Sequence, residues 1–247
     1  RSAEIRSLVS AELQTALAAG GGYSTDDESL ERHSADHTED LKFRPHWVVR
    51  PRGRDEVVAV MKIASHYRIP VTPRGAGTGL SGGALAVHGG IVLSLERMNR
   101  ILEIDEKNLA AVVEPGVITE VFQNAVEARG LFYPPDPASK GSCLLGGNVA
   151  ECSGGPRAVK YGVTKDYILG VEAVLPSGEI IRHGGKLLKN VTGYNLTQLL
   201  VGSEGTLAVV TEITTRLIGL PKLRQSLLVP FAVLDSAARV VRAIFRA

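Results

Sequence analysis

Between Pro73 and Gly83 the chain reads PRGAGTGLSGG, five glycines in eleven residues with Thr78 and Ser81 on either side of Leu80. Almost no side chain leaves this backbone. Such a run lets another molecule lie directly on its N–H groups and supplies positive φ where a tight loop needs it. Successive inward-pointing amides form an anion nest, and the usual guest is a phosphate or pyrophosphate. The segment predicts a nucleotide-type cofactor. Gly77, Gly79 and Gly82 also spell G-x-G-x-x-G, with a strand-like run before them (69–73) and Glu96 19 residues after Gly77, the fingerprint of a dinucleotide-binding βαβ unit. That reading fails on spacing. The third glycine should open a crossover of about a dozen residues, yet only Gly83 to Gly90, itself glycine-rich, precedes the next apolar run at 91–95. No G-x-x-x-x-G-K-[ST] occurs, so no P-loop is expected.

Two more segments share this chemistry. Three prolines make PPDPAS (134–139) rigid and poor in amides, and GGNVAECSGG (146–155) sets four glycines around Asn148 and Ser153. GSEGT (202–206) places the carboxylate of Glu204 between small residues. One such turn would mean only a tight loop. Three in one α/β region predict several contacts to one large ligand. An amide hydrogen bond to phosphate contributes about 1.5–3 kcal/mol, so a few suffice without a lysine.

Other residues carry less. His33 and His37 lie four apart but lack the third ligand and the glutamate of a metal motif, so no metal is expected. Cys143 and Cys152 make no disulfide framework, and a reducing, cytoplasmic setting follows. Two N-x-T matches, at Asn190 and Asn195, are chance patterns without secretory context. Arg50, Arg52 and Arg54 read as solvated surface. With a net charge of +2 and 5% aromatics there is no basic, stacking surface for nucleic acid. No apolar run approaches the length of a membrane span. The chain starts at Arg1, so a targeting signal would be invisible in it.

The elements that must hold these loops follow from periodicity. Apolar positions from Ile5 to Leu17 mark an amphipathic helix over 3–19 that stops at Gly20-Gly21-Gly22. A polar stretch follows to Pro45. Then come a strand (47–49), a helix (54–66), a strand (69–73), the glycine loop and a strand (91–95). A hairpin (101–105 and 109–114), a helix (118–129), a loop-dominated zone (133–162), strands at 167–175 and 179–183, a helix (194–201) and a long strand (206–218) complete the pattern. Beyond Pro221 a strand (227–233) and a helix with Asp235 as N-cap are expected, opening a domain whose remainder is missing.

Taken in order, PRGAGTGLSGG, EPGV (114–117), PPDPAS, GGNVAECSGG, KYGVTKDYILGVEAVLPSGEI (160–180) and VTGYNLTQLLVGSEGTL (191–207) resemble the FAD-binding region of the vanillyl-alcohol oxidase / p-cresol methylhydroxylase superfamily. Within it they are most similar to the branch of bacterial glycolate oxidase flavoprotein subunits and FAD-linked D-lactate dehydrogenases. The likeness covers residues 45 to 221. It implies an α+β fold: a p-cresol-methylhydroxylase (PCMH)-type FAD-binding domain of two α/β subdomains (45–107 and 108–221). A helical segment (1–44) would precede it and the start of a C-terminal substrate domain (222–247) would follow.

The resemblance also implies site residues. Pro73, Arg74, Gly75, Ala76, Gly77, Thr78, Gly79, Leu80, Ser81 and Gly83 would wrap the pyrophosphate. Pro115, Gly116, Val117, Asp136 and Pro137 would border the flavin, with Ser142, Cys143, Gly146, Gly147, Asn148, Ala150 and Gly154 on its other side. Tyr161, Gly162, Val163, Glu204 and Gly205 would complete the site. Members with covalent flavin carry His in an R-x-G-G-H arrangement, and Thr78 stands there in this chain, so the FAD would be non-covalent. The implied reaction is oxidation of a 2-hydroxy acid, glycolate or D-lactate, to the 2-oxo acid, with hydride passing to flavin N5 and a base taking the hydroxyl proton. D-2-hydroxyglutarate or alkyl-glycerone-phosphate chemistry, or an inactive cofactor-binding fragment, are the alternatives. Iron–sulfur or other electron-transfer subunits would be the partners, and through them the protein would sit at the inner membrane surface. The family's substrate-facing and metal-binding residues lie in the C-terminal domain. No catalytic base is therefore nominated, and His88 and His183 read as surface.

Overall fold

The computed structural model describes residues 2–246. Two sheets carry the site, and each arises from a different sequence pattern. In the first, β2 (Trp47–Val49) and β4 (Ile91–Ser94) are buried at every position, as strands covered on both faces must be. β3 (Val71–Arg74) pairs with β4 in parallel, and β1 (Tyr23–Ser24) pairs with β2 antiparallel, giving the order β1-β2-β4-β3. Pro73 is thus on an edge strand, where its missing donor costs no ladder bond. The helix α3 (Arg54–Tyr67) connects β2 to β3 and ends at Arg68 in the left-handed region. The return from β3 to β4 contains no helix: residues 75–90, the glycine loop included, form the whole parallel crossover. This removes the βαβ reading on geometry.

The second sheet is antiparallel, ordered β5-β6-β10-β8-β9, from β5 (Ile101–Asp105), β6 (Ala110–Val113), β8 (Ile168–Val174), β9 (Ile180–Gly184) and β10 (Val209–Arg216). A two-residue ladder joins β7 (Leu131–Phe132) to β11 (Ile218–Gly219). The hairpin β5–β6 belongs wholly to this sheet, so the chain changes sheets between Ser94 and Ile101 rather than near residue 107. The sheet's core packs Val171, Ala173 and Ile213 against Phe122 and Val126 of α4 (Thr119–Glu127), with Tyr133 and Tyr167 edge-on beside them.

α1 (Ser2–Ala16) contributes Val9 and Leu13, which with Leu17 join Trp47, Val57, Val60 and Ile91 in one buried cluster. The first 44 residues are therefore a layer of the first sheet rather than an appendage. Their polar stretch also contains α2 (Asp27–Arg32), where Asp26 accepts from the Ser29 N–H at 2.8 Å as N-cap. Val174 and Val209 reach from the second sheet into the same cluster, and Arg54 of α3 meets the buried Glu172 of β8 at 3.2 Å. These contacts lock the two sheets together.

The zone expected to be loop holds α5 (Leu145–Glu151) and α6 (Ala158–Tyr161). Two glycines in α5 hide it from propensity, and packing overrides them. A Cβ on Gly146 would stand 2.6 Å from that of Pro115, so only glycine allows the helix this close. Beyond Pro221 no strand forms at 227–233, because that run finds no ladder partner among the described residues. α7 (Leu196–Leu200) is capped by Asn195, whereas α8 (Leu234–Ile244) has Val233 as N-cap. Asp235 lies within the first turn of α8 and pairs with Arg239 at 2.8 Å.

The two α5 glycines give a paired expectation. Gly146→Ala should destabilise by about 1–3 kcal/mol through overpacking despite better helix propensity. Gly147→Ala, whose Cβ meets nothing within 4 Å, should gain up to about 1 kcal/mol. Thermal unfolding without added flavin separates them, since a chain of this size shifts by about 2–4 °C per kcal/mol. Equal melting temperatures for the two variants would refute the packing account.

Candidate functional site

A cleft of about 440 Å³ opens where the two sheets meet. One wall is the glycine loop from Gly75 to Leu80 with Gly83 and Ala84. The other is the face of α5 bearing Gly147, Asn148, Ala150 and Glu151. Ala138, Ser139, Cys143 and Leu144 close one end, and His37, Ser153 and Glu204 complete the lining. A narrow recess of about 50 Å³ lies behind it between Pro73, Arg74, Pro115, Gly146 and Gly205. The walls approach so closely that a Cβ on Gly75 would come within 3.7 Å of the Gly147 backbone nitrogen.

The loop is held from beneath. Arg74 is 7% exposed, and its guanidinium donates to the carbonyls of Ala35 (2.8 Å) and Ala84 (3.3 Å). Burial lowers its pKa, and Asp36 offsets part of that. Gly77 sits directly over this group at φ +73, where a Cβ would overlap the guanidinium, 2.5 Å from Cζ. Arg74 thus props the loop from beneath. With the loop so fixed, no backbone N–H from Gly75 to Ala84 donates to an acceptor within the described residues, and the Gly147 N–H is likewise free. That leaves a row of donors along the glycine loop and a single one, the Gly147 N–H, on the facing wall.

The third glycine site acts differently from the first. The N–H groups of Gly202 and Glu204 donate to Val149 and Ala150 at 2.9 Å each, capping the C-terminal end of α5. Most of its amides are used in this way, and what it brings to the cleft is the Glu204 carboxylate, at φ +53. Glu151 faces the same point: a Cβ on Gly83 would lie 2.9 Å from an oxygen of each acid. The Ser81 hydroxyl donates to Glu151 at 3.0 Å, so Ser81 acts at the rim. Asn148, 2% exposed, donates to Thr119 Oγ1 (2.5 Å), which also contacts Cys143 Sγ (3.3 Å) and fixes the floor.

Several expected residues lie outside both walls. Gly116 threads between the carbonyls of Leu95 and Met98, and Val117 is core. Asp136 accepts from the Arg157 N–H at 3.0 Å and holds the turn at Gly155, leaving Ala138 and Ser139 rather than Asp136-Pro137 at the cleft. Ser142 donates to the Ser139 carbonyl. Tyr161 packs edge-on against Phe132, the Val163 N–H donates to Asp166, and Gly154 packs near Val163. His183 is tied to Thr197 (3.0 Å) in a separate hollow, and His88 lies on an exposed turn. His33 is buried, bonded to the Ser29 carbonyl, and its pKa is lowered by that burial. No group of three metal-ligating side chains comes together among the described residues. Ser153, one of the two polar residues of the second glycine segment, does line the cleft, and so do His37 and Glu151, which were not among the expected site residues.

This geometry can hold a long, anion-bearing, partly apolar molecule laid along bare backbone. A model of the FAD-binding domain family matches residues 45–184. The chain belongs to that family. The cleft fits its cofactor, since the free amides of the glycine loop, with that of Gly147 opposite, suit a diphosphate. The glycolate oxidase subunit GlcD of Bacillus subtilis (strain 168) is 49% identical over 229 residues, 92% of this chain and 49% of that one. A D-lactate dehydrogenase of Anaerostipes hadrus is 44% identical over 83% of this chain and 43% of its own. The crystal structure of p-cresol methylhydroxylase superposes with a TM-score of 0.76 at 19% identity, covering 89% of this chain and 44% of that one, and so shares its fold. The FAD-binding fold is thus α+β and PCMH-type. The chain spans about half the length of the curated relatives it matches.

Gly77→Val should abolish retention of FAD. A β-branched residue resists φ > 0 and would displace the Arg74 strut, so the amide row loses its shape. Flavin fluorescence of the purified variant reads the outcome, and stoichiometric flavin would show that the loop does not hold the cofactor.

Proposed function

We propose that this chain is the FAD-holding part of a dehydrogenase that oxidises a 2-hydroxy acid, glycolate or D-lactate, to the 2-oxo acid. The observation that carries the reading is the row of unpartnered amides of the glycine loop, faced by the Gly147 N–H, in a chain whose relatives are named for those two substrates. When bound, FAD supplies the two-electron acceptor for hydride leaving the hydroxyl-bearing carbon. The chain's residues do the rest. Gly75 to Gly79 and Gly147 offer donors to the diphosphate, Arg74 keeps the loop's donors aligned, and the Pro115–Gly146 contact seats α5, and Gly147 with it, against the loop.

Non-covalent attachment follows from Thr78 at the position where covalent members carry histidine. No lysine or arginine lines the larger cleft. We place substrate orientation and the proton-accepting base in the half of the relatives' length that this chain does not span. The word "subunit" in the name of the Bacillus subtilis relative supports a complex with other subunits, for which we propose iron–sulfur or other electron-transfer proteins. Among the described residues no helix is long and apolar enough to cross a membrane, so a cytoplasmic protein held at the inner membrane through such partners is the arrangement we propose.

Acid precipitation should leave the flavin in the supernatant; a yellow pellet would overturn the non-covalent assignment. With an artificial dye as acceptor, the full-length protein should oxidise glycolate or D-lactate, while residues 1–247 alone should not. Preference for D-2-hydroxyglutarate would move the substrate assignment. Comparable kcat/KM for both forms would place the catalytic groups within 1–247.

A further inference from the structure

The cleft's charge is unevenly placed. Apart from amides, its lining holds two carboxylates, Glu151 and Glu204, and one side chain able to carry positive charge, His37. The two acids converge on Gly83 at one end of the loop, where an anion would be repelled. His37 lies on a turn fixed from both sides. The Thr38 N–H donates to Asp36 Oδ1 at 2.8 Å, and the Ala35 carbonyl accepts from Arg74 at 2.8 Å. The same guanidinium holds Ala84 and underlies Gly77, so one buried group sets the position of both the histidine turn and the amide row. The imidazole itself makes no hydrogen bond within the described residues, whereas His33, His46 and His183 are all engaged.

We propose that His37 is a binding residue for the diphosphate of FAD, the side-chain complement to the backbone amides of the glycine loop. The inference rests on the FAD reading of the cleft. An imidazole N–H donates whether the ring is neutral or charged, so the role needs no particular protonation state. It also brings a residue outside the FAD-binding domain match, His37, into the cofactor site.

The test measures FAD dissociation constants for the full-length apoprotein and three variants, by flavin fluorescence. His37→Ala should bind about tenfold more weakly, in line with one hydrogen bond to a charged group. His37→Glu should be weaker still, and His37→Lys should stay within about threefold of wild type. ADP, which carries the phosphates without the flavin ring, should compete in the same order. His37→Ala binding within twofold of wild type, Lys as weak as Ala, or an effect on FAD without one on ADP would each overturn the proposal. Wild-type protein that binds no FAD would instead refute the cofactor reading beneath it.

Discussion

A wall of bare backbone has no side chains of its own to anchor it, and in this protein the buried guanidinium of Arg74 does that work. It leaves β3 beneath the glycine loop and donates to carbonyls on either side, Ala35 and Ala84. Burying a cation is costly unless its donors are met, and here the partners are neutral carbonyls with Asp36 nearby. The arrangement makes Gly77 obligatory for two reasons, its positive φ and the space the guanidinium occupies. Loop, strand edge and N-terminal turn therefore stand or fall together.

The second wall obeys the same logic with different parts. α5 approaches Pro115 because Gly146 lacks a side chain, and its last carbonyls are closed by the turn at Gly202 and Glu204. A turn that spends most of its amides on capping a helix presents its carboxylate to the cleft. The cleft thus has donors along its length and acids at one end. A ligand that is anionic in the middle and rich in hydroxyls elsewhere matches such a distribution.

Much of this was legible in the residues. Buried strands, the hairpin, α3, α4 and the location of three glycine-rich sites all followed from periodicity and turn chemistry. The spacing from Gly82 to Ile91 alone excluded a dinucleotide βαβ unit, and the helix-free crossover agrees. What was hidden is tertiary. α5 carries two glycines that argue against a helix until Pro115 is seen against it. The resemblance places Arg74 in the loop around the pyrophosphate, and its burial shows that it also props that loop. His37 belongs to no motif and is brought to the cleft by a turn 36 residues before the glycine loop's Pro73. The strand at 227–233 failed for the opposite reason: an apolar run is a strand only where a neighbour completes its ladder.

The parallel crossover made of loop rather than helix has one more consequence. A helical crossover satisfies its own amides, but residues 75–84 leave theirs to solvent or to a ligand. Ordering so many glycines is entropically expensive, and the fold recovers little of that through contacts of the loop itself. A cofactor that binds these amides only in the folded state adds RT ln(1 + [L]/Kd) to stability, about 2.7 kcal/mol at a hundredfold excess over Kd. Cofactor and crossover are therefore coupled: the segment least able to hold itself is the one the ligand holds, and the strands it joins, β3 and β4, share in that stabilisation.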